Sequence, residues 1–368
     1  MADYIPHSVL ITGGAGFICS HLCNYLINKY PDVHFVCLDI LDYCSNLKNL
    51  YQCRDEHDST KWKSNFKFVK GNILNTDLVS LLMQDYHIDT VLHFAAQSHV
   101  DRSFGNSLEF TQTNVLGTHV LLECAKRYGI KRFVHVSTDE VYGEIPDGLA
   151  DELSILSPTN PYSCSKAGAE FVCQAYIRSF HLPIIITRGN NVFGPMQFPE
   201  KVIPKFILRL NKNLKCCIHG KGDGSRNFIH TSDVVKAFDI ILHKGVLHQI
   251  YNIGTRFEIS VNDLAKKIVT YMKGKDQPDF EPTMWIENVT DRAFNDCRYR
   301  IDSSKLVQLG WEEPYSEEVF DKQLHETIDW YLSHLEWWSH DISSYLDPHP
   351  IAYKTNSMPE SPSLQSLL

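Results

Sequence analysis

"VLITGGAGFICSH", residues 9–21, passes from an apolar run through a glycine-rich turn into an amphipathic stretch. Val9–Thr12 reads as the end of a buried strand and Phe17 opens a helical pattern, so the segment is strand, turn, helix. Gly13 and Gly16 let the backbone turn tightly and leave room for a ligand to approach the main chain. The helix that follows presents unpaired N–H groups and a positive dipole end, a setting that stabilises a pyrophosphate. Where a third glycine is usual the chain has Cys19, a tight but tolerable side chain between helix and strand. A strand–helix turn that binds nothing is the plainer reading of the same residues.

The same rhythm continues outward. Strands are predicted at Ser8–Thr12, His34–Asp39, Phe66–Val69, Thr90–Phe94, Lys131–Val136 and Ile184–Arg188. Helices are predicted at Phe17–Lys29, Asn114–Tyr128 and Asn160–Phe180. Continuous apolar strands bridged by helices imply a parallel sheet covered on both faces. The expected class is α/β: a Rossmann-like doubly wound parallel sheet with a smaller C-terminal α/β substrate-binding lobe. The first 195 residues are assigned to the sheet, with late crossings back from the C-terminal part, and residues 196–348 to the lobe. That second region has Gly-rich turns (Gly220, Gly222, Gly224), shorter elements and a last helix at Phe320–Leu335. Residues 349–368 are rich in Ser and Pro near the end and are expected to be a disordered tail. No internal repeat is visible.

Composition narrows the partners. The 368 residues are 43% hydrophobic and 21% charged, with a net charge of −9 spread along the chain. That balance offers no nucleic-acid footprint and no polybasic membrane anchor. No stretch is long and apolar enough for a membrane span, and "MADYIPHS" lacks the basic start and apolar core of a signal peptide. The 11 cysteines are scattered without a C-x-x-C pair, so no metal site is expected and a reducing cytoplasm is.

Three further features add chemistry to the turn. Asp39 ends the second strand about 20 residues after the glycines, where a carboxylate binds ribose hydroxyls and repels a 2′-phosphate; NAD is therefore expected over NADP. In "PYSCSKAGAE" (161–170), Tyr162 and Lys166 are four apart and share a helix face. They are either a solvated pair or a phenol base tuned by the Lys ammonium and the nicotinamide charge. A free Tyr has a pKa near 10, and lowering it by 2–3 units takes roughly 3–4 kcal/mol. One cation about 4 Å away at an effective dielectric near 20 supplies that much. Finally, "HVSTDEVYGE" (135–144) delivers Ser137, Thr138, Asp139 and Glu140 at the carboxyl end of a buried strand. Two adjacent carboxyls there repel each other and lose water, which raises pKa values.

With these residues in place, the chain resembles the extended short-chain dehydrogenase/reductase superfamily. "LHFAAQSHVDRS" (92–103), "STDEVYG" (137–143), "FPEKVIPKFI" (198–207), "RNFIH" (226–230) and "YNIG" (251–254) narrow it to the nucleotide-sugar 4,6-dehydratases of the dTDP-glucose type. "LDYCSNLKNL" (41–50) is similar to the animal form. The resemblance implies catalytic roles for Thr138, Asp139, Glu140, Tyr162 and Lys166. Tyr162 would take the sugar 4-OH proton as C4 hydride passes to NAD⁺, with Thr138 holding the oxygen. Glu140 would remove the C5 proton, and Asp139 would protonate the departing C6 hydroxyl. It implies NAD contacts at Gly13, Gly16, Phe17, Ile18, Asp39, Asp42, Asn46, Asn72, Ile73, Ala95, Ala96, Ser98, Thr113, Tyr162, Lys166 and Asn191. Sugar-nucleotide contacts would come from Ser98, Thr138, Asn191, Lys201, Val202, Ile203, Pro204, Arg226, Asn252, Arg292 and Asn295. A homodimer through the helices at Val115–Cys124 and Ala167–Tyr176 is implied too, although those apolar faces could equally be buried within one subunit.

Several positions depart from the pattern. Asn72 stands where many relatives have Asp facing adenine, and its carbonyl can still accept that bond. "TRGNNVFGP" (187–195) differs from the commoner Ser-Asn-Asn order, which makes Asn191, rather than Asn190, the candidate. Arg292-Ala293-Phe294-Asn295 differs from Arg-Pro-Gly-His, so uracil and thymine are not distinguished. A UDP-sugar 4-epimerase would use the same Tyr and Lys but has no work for Asp139 or Glu140. A UDP-glucuronate decarboxylase would set its substrate carboxylate against Asp139. A non-catalytic sensor would be expected to have lost these residues.

Overall fold

The computed structural model describes residues 3–145, 148–274, 279–290, 300–338 and 342–348. Seven parallel strands form its main sheet. In chain order the strands are β1 (Ser8–Thr12), β2 (His34–Asp39), β3 (Phe66–Lys70), β4 (Thr90–His93), β5 (Arg132–Thr138), β6 (Ile184–Gly189), β7 (Asn191–Phe193), β8 (Cys216–His219), β9 (Ser225–Arg226), β10 (Phe228–His230), β11 (Ile250–Ile253), β12 (Ile259–Ser260) and β13 (Ile286–Val289). The large sheet has the order β11-β6-β5-β4-β1-β2-β3, and the short strands pair as β10-β7, β12-β9 and β13-β8. The order reverses between β1 and β4, which opens a crevice at their carboxyl ends.

The helices are α1 (Phe17–Lys29), α2 (Thr76–Asp85), α3 (Val100–Gly105), α4 (Ser107–Phe110), α5 (Gly117–Tyr128), α6 (Pro161–Phe180), α7 (Val202–Asn211), α8 (Thr231–Lys244), α9 (Val261–Lys273), α10 (Ser304–Val307) and α11 (Glu317–Ser333). Alternation along β1 explains the two-sided cover. Val9 and Ile11 pack with Leu22, Leu26, Phe238 and Ile241 of α1 and α8. Leu10, between them, joins Val79, Leu121, Leu122 and Tyr176 of α2, α5 and α6 on the opposite face. A third core, around Phe206, Leu264, Phe320 and Tyr331, ties together α7, α9 and α11.

The predicted strands at Ser8–Thr12 and His34–Asp39 and the helix at Phe17–Lys29 match the observed bounds. The single helix predicted over Asn114–Tyr128 is different: it begins in a π-helical turn, Thr111–Leu116, before α5. Buried Asn114 lies in that turn, bonded to the backbone of Gln97 and to Ser165, tertiary partners that periodicity does not reveal. The last helix begins at Glu317, earlier than predicted, because Ser316 caps it by accepting from Val319 N–H. β11 returns from the second half of the chain to pair with β6. The tail at 349–368 lies outside the described residues.

One ion pair locks β6 to α6. Arg188 Nη2 meets Glu170 Oε2 at 2.7 Å, Nε contacts both carboxylate oxygens at 3.1 Å, and both side chains are buried. Arg188 also donates to the Tyr142 hydroxyl, which donates to Asn252 Oδ1, each at 2.8 Å. Glu170→Ala leaves a buried guanidinium unpaired, so urea unfolding should show a loss of about 3–5 kcal/mol. The double change Glu170→Leu/Arg188→Met should restore most of it; equal losses in both variants would contradict this account of the pair.

Candidate active site

The crevice at the carboxyl ends of the strands is a cleft of about 690 Å³. Its floor on one side is the turn after β1. Gly13 has φ +74°, and a Cβ there would lie 2.7 Å from the backbone N of Ala95 after β4, so only glycine fits. Asp39, at the end of β2, accepts from Ala15 N–H at 2.9 Å and Leu41 N–H at 2.7 Å. Burial pushes its carboxyl up while those amides oppose the shift. Gly16, Phe17, Ile18, Asp42, Asn72, Ile73, Ala95, Ala96, Ser98 and Thr113 line the same cleft. One lone pair of Asn72 Oδ1 is occupied by Leu74 N–H.

The other side is built by β5, β6 and α6. β5 runs through Thr138 into a single helical turn, Asp139–Tyr142, which Thr138 Oγ1 caps by accepting from Glu140 N–H at 3.3 Å. Gly143, at φ +75°, ends the turn against the backbone of Ser157, where a Cβ would clash. α6 starts from a capping box, Asn160 with Ser163, and Pro161 follows the cap, so Tyr162 sits in the first turn and Lys166 one turn later. Thr138, Asp139, Glu140, Tyr162, Lys166 and Asn191 all line the cleft with the residues above.

Electrostatics set their protonation. Burial, then the charge of Glu140, pushes Asp139 up to about 7, against the opposing effects of Asn190, Thr138 and Arg226. Asn190 Nδ2 donates to Asp139 Oδ2 at 2.6 Å, and Asn160 Nδ2 donates to Glu140 Oε2 at 3.2 Å. Lys166 is not among the groups that shift Tyr162. Burial and Glu140 hold Tyr162 above its ordinary range, while burial pushes Lys166 down to about 8. Lys166 Nζ donates to Val136 O at 2.6 Å.

Other sequence expectations need correction. Asn46 caps the turn at Leu47–Cys53, accepting from Lys48 N–H, donates to Trp337 O and lines a separate surface groove. Asn252 is fully buried, its amide occupied by Tyr142, Ala150 and Asp302, so it faces the interior and not the cleft. Ile203 belongs to the third core, Val202 packs against it, and Pro204 is buried in α7, because apolar side chains at that helix start turn inward. Lys201, just before them, does line the cleft and donates to Ser98 O at 3.1 Å. Arg226 acts on Asp139 through its charge. Arg292 and Asn295 lie outside the described residues.

Gln97, Tyr43 and Glu200 line the cleft without having been singled out, and so does Asn190, which was ranked behind Asn191. Gln97 Nε2 donates to Asp42 Oδ2 at 2.8 Å, and Tyr43 donates to buried Glu200 at 3.0 Å. Their positions inside matching motifs were the available signal; side-chain pairing across loops was not legible.

Residues 10–323 match the family model described as GDP-mannose 4,6 dehydratase. A trifunctional UDP-glucose 4,6-dehydratase/UDP-4-keto-6-deoxy-D-glucose 3,5-epimerase/UDP-4-keto-L-rhamnose-reductase of Arabidopsis thaliana is 52% identical over 95% of the chain. The chain spans about half the length of the curated plant relatives it matches, 50% of that one. A human dTDP-D-glucose 4,6-dehydratase is 46% identical, over 93% of the chain and 95% of the human protein. A dTDP-glucose 4,6-dehydratase of Streptomyces venezuelae, solved with NAD and TYD bound, superposes with a TM-score of 0.81 and 38% identity, covering 90% of this chain and 98% of that one.

Asp139 has a measurable signature. With a folded pKa of about 7 against an ordinary 3.8, it is protonated when folded and ionised when unfolded across that interval. The folded state then binds more protons, so stability falls as pH rises from about 4 to about 7. Asp139→Asn removes that slope: relative to the wild type it should gain up to about 4 kcal/mol across the window in urea titrations. A difference that does not vary with pH would sink the assignment.

Proposed function

The chain belongs to the GDP-mannose 4,6-dehydratase family, and on that premise we propose that it is an NAD-dependent hydro-lyase acting on dTDP-glucose or UDP-glucose. The product is the 4-keto-6-deoxy sugar nucleotide, formed with loss of one water. The observation that carries this reading is the adjacent pair of buried Asp139 and half-buried Glu140 beside Tyr162 in one cleft, with Asp139 pushed up to about 7. An epimerase needs no second acid or base, whereas eliminating water needs one of each.

The residues fit a dinucleotide. Gly13 and Gly16 leave the main chain open at the start of α1, where a Cβ on Gly13 would meet Ala95, and the Asp39 carboxylate closes the ribose end. Bound NAD would supply the hydride acceptor for sugar C4 and the donor for C6. Tyr162 Oη would receive the 4-OH proton, with Thr138 beside it. Once C4 is a ketone the C5–H bond is acidic, and Glu140 would take that proton and later return it. Asp139, protonated over much of the neutral range, would give its proton to the C6 oxygen as it leaves.

We assign the dinucleotide to residues 1–195 and the sugar nucleotide to 196–348, with Lys201 and Arg226 on the diphosphate side. A homodimer fits the exposed apolar side chains Leu116 and Phe171 on the turn before α5 and on α6. All ten cysteines among the described residues are free thiols, in keeping with a reducing cytoplasm. No helix among the described residues is long and apolar enough to cross a membrane.

Incubation with UDP-glucose and with dTDP-glucose should yield a product lighter by one water. Unchanged mass would instead indicate epimerisation, and carbon dioxide released from UDP-glucuronate a decarboxylase. Asp139→Asn and Glu140→Gln should each slow dehydration about 10²–10⁴-fold. Near-normal turnover in both would end the proposal.

A further inference from the structure

Asn49 is fully buried, and both ends of its side-chain amide are engaged. Nδ2 donates to the carbonyl of Ala15, in the glycine turn, at 2.9 Å, and Oδ1 accepts from the indole Nε1 of Trp337 at 2.9 Å. Asn46 N–H reaches the same Ala15 oxygen at 3.1 Å, and Ala15 N–H is the donor that Asp39 accepts. A run of hydrogen bonds therefore leads from Trp337, 288 residues beyond Asn49, through Asn49 and Ala15 to Asp39. The Trp337 carbonyl adds two further ties, accepting from Asn46 Nδ2 and Lys48 Nζ at 3.2 Å each.

The same loop is held by aromatic rings nearer to β2. Tyr345 lies almost parallel to Tyr43, at 7° with centroids 6.0 Å apart. Phe198 meets both edge-on, 5.3 Å from Tyr43 and 4.8 Å from Tyr345, and Trp338 abuts Phe198 at 5.0 Å. The Arg102 guanidinium stands 4.0 Å from the centre of the Tyr43 ring, and the Tyr43 hydroxyl donates to both Glu200 carboxylate oxygens at 3.0 Å. Tyr345 is anchored in turn: the next residue, Leu346, belongs to the third core, and its carbonyl accepts from Arg209 Nη1 of α7 at 2.6 Å.

Residues 40–46 connect β2 to the turn at Leu47–Cys53, and Ile40 through Ser45 line the cleft directly after Asp39. A connection of that kind opens easily by itself, because few contacts are lost when it moves. Here, opening it breaks the Tyr43 ring contacts and the Trp337 hydrogen bonds together. We infer that Trp337 and Tyr345 are positioning residues for the dinucleotide: they strap residues 42–49 against the cleft and so slow dinucleotide release between turnovers. The inference rests on the dehydratase reading above. A reaction that takes hydride from sugar C4 and returns it at C6 needs no exchange of dinucleotide, so slow release does not limit its rate.

The test dilutes the full-length holoenzyme, loaded with NAD, into an excess of deuterium-labelled NAD and follows the protein-bound dinucleotide by mass spectrometry. Tyr345→Ala and Trp337→Ala should each exchange about tenfold faster than the wild type, the effect of one lost ring contact or buried hydrogen bond. Tyr345→Phe keeps the stacked ring and should stay within about twofold of the wild type. Trp337→Phe keeps a ring and removes only the bond to Asn49, and it should still speed exchange about fivefold. Neither residue lines the cleft, so with NAD saturating, kcat and the KM for the sugar nucleotide should stay within about twofold of wild type in all four. A wild-type exchange rate in Trp337→Phe and in whichever alanine variants fold would overturn the strap and leave the dehydratase reading standing. So would faster exchange matched by an equal fall in kcat at saturating NAD, the pattern of a damaged fold. A wild type that takes up no NAD would remove the dinucleotide reading itself.

Discussion

Burying the carboxyl of Asp139 next to that of Glu140 constrains everything around it. Two like charges at the end of a strand are costly when water is excluded, and among the described residues Asp139 is held by neutral donors and by the charge of Arg226. Asn190 and Thr138 take the two oxygens of Asp139, Asn160 takes Glu140, and Arg226 acts through space. A guanidinium bonded to Asp139 would hold it ionised and unable to donate. Amide and hydroxyl partners leave it near neutrality, where it can move in either direction.

The sheet makes that arrangement possible. β5 and β6 run parallel and adjacent, so Thr138 and Gly189 stand side by side in register and the residues after each strand face one another across the cleft. α6 is tied to β6 by Arg188 and Glu170 and to β5 by Lys166 on Val136 O, which sets Tyr162 over the same point. The dinucleotide side follows from a different close approach, Gly13 against Ala95, where β1 and β4 part. One cleft is thus lined by the glycine turn from one half of the sheet and by Thr138, Asp139, Glu140 and Tyr162 from the other.

Much of this was legible before any fold was known. The strands β1 and β2, the helix α1, the cofactor turn and Asp39 follow from local pattern, because apolar periodicity, caps and glycine turns act within a few residues, whereas the roles expected of Thr138, Asp139, Glu140, Tyr162 and Lys166 came with the family resemblance. Asn46 and Asn252 were misread for the opposite reason. Each is polar and sits in a matching motif, yet Asn46 caps a local turn and Asn252 is enclosed by Tyr142, Ala150 and Asp302. Motif membership does not say which way a side chain points.

By itself, then, the sequence determined the class of fold and the cofactor turn and supplied the acid–base candidates, since these depend on residue type and short spacing. Tertiary structure alone decided their protonation and their wiring. Burial and Glu140 raise Tyr162 above its ordinary range, and Lys166 donates to a backbone carbonyl. Asn190, 51 residues from Asp139 along the chain, becomes its nearest donor. Proton affinities and hydrogen-bond directions depend on burial and on neighbours brought from distant strands, and neither is a property of local sequence.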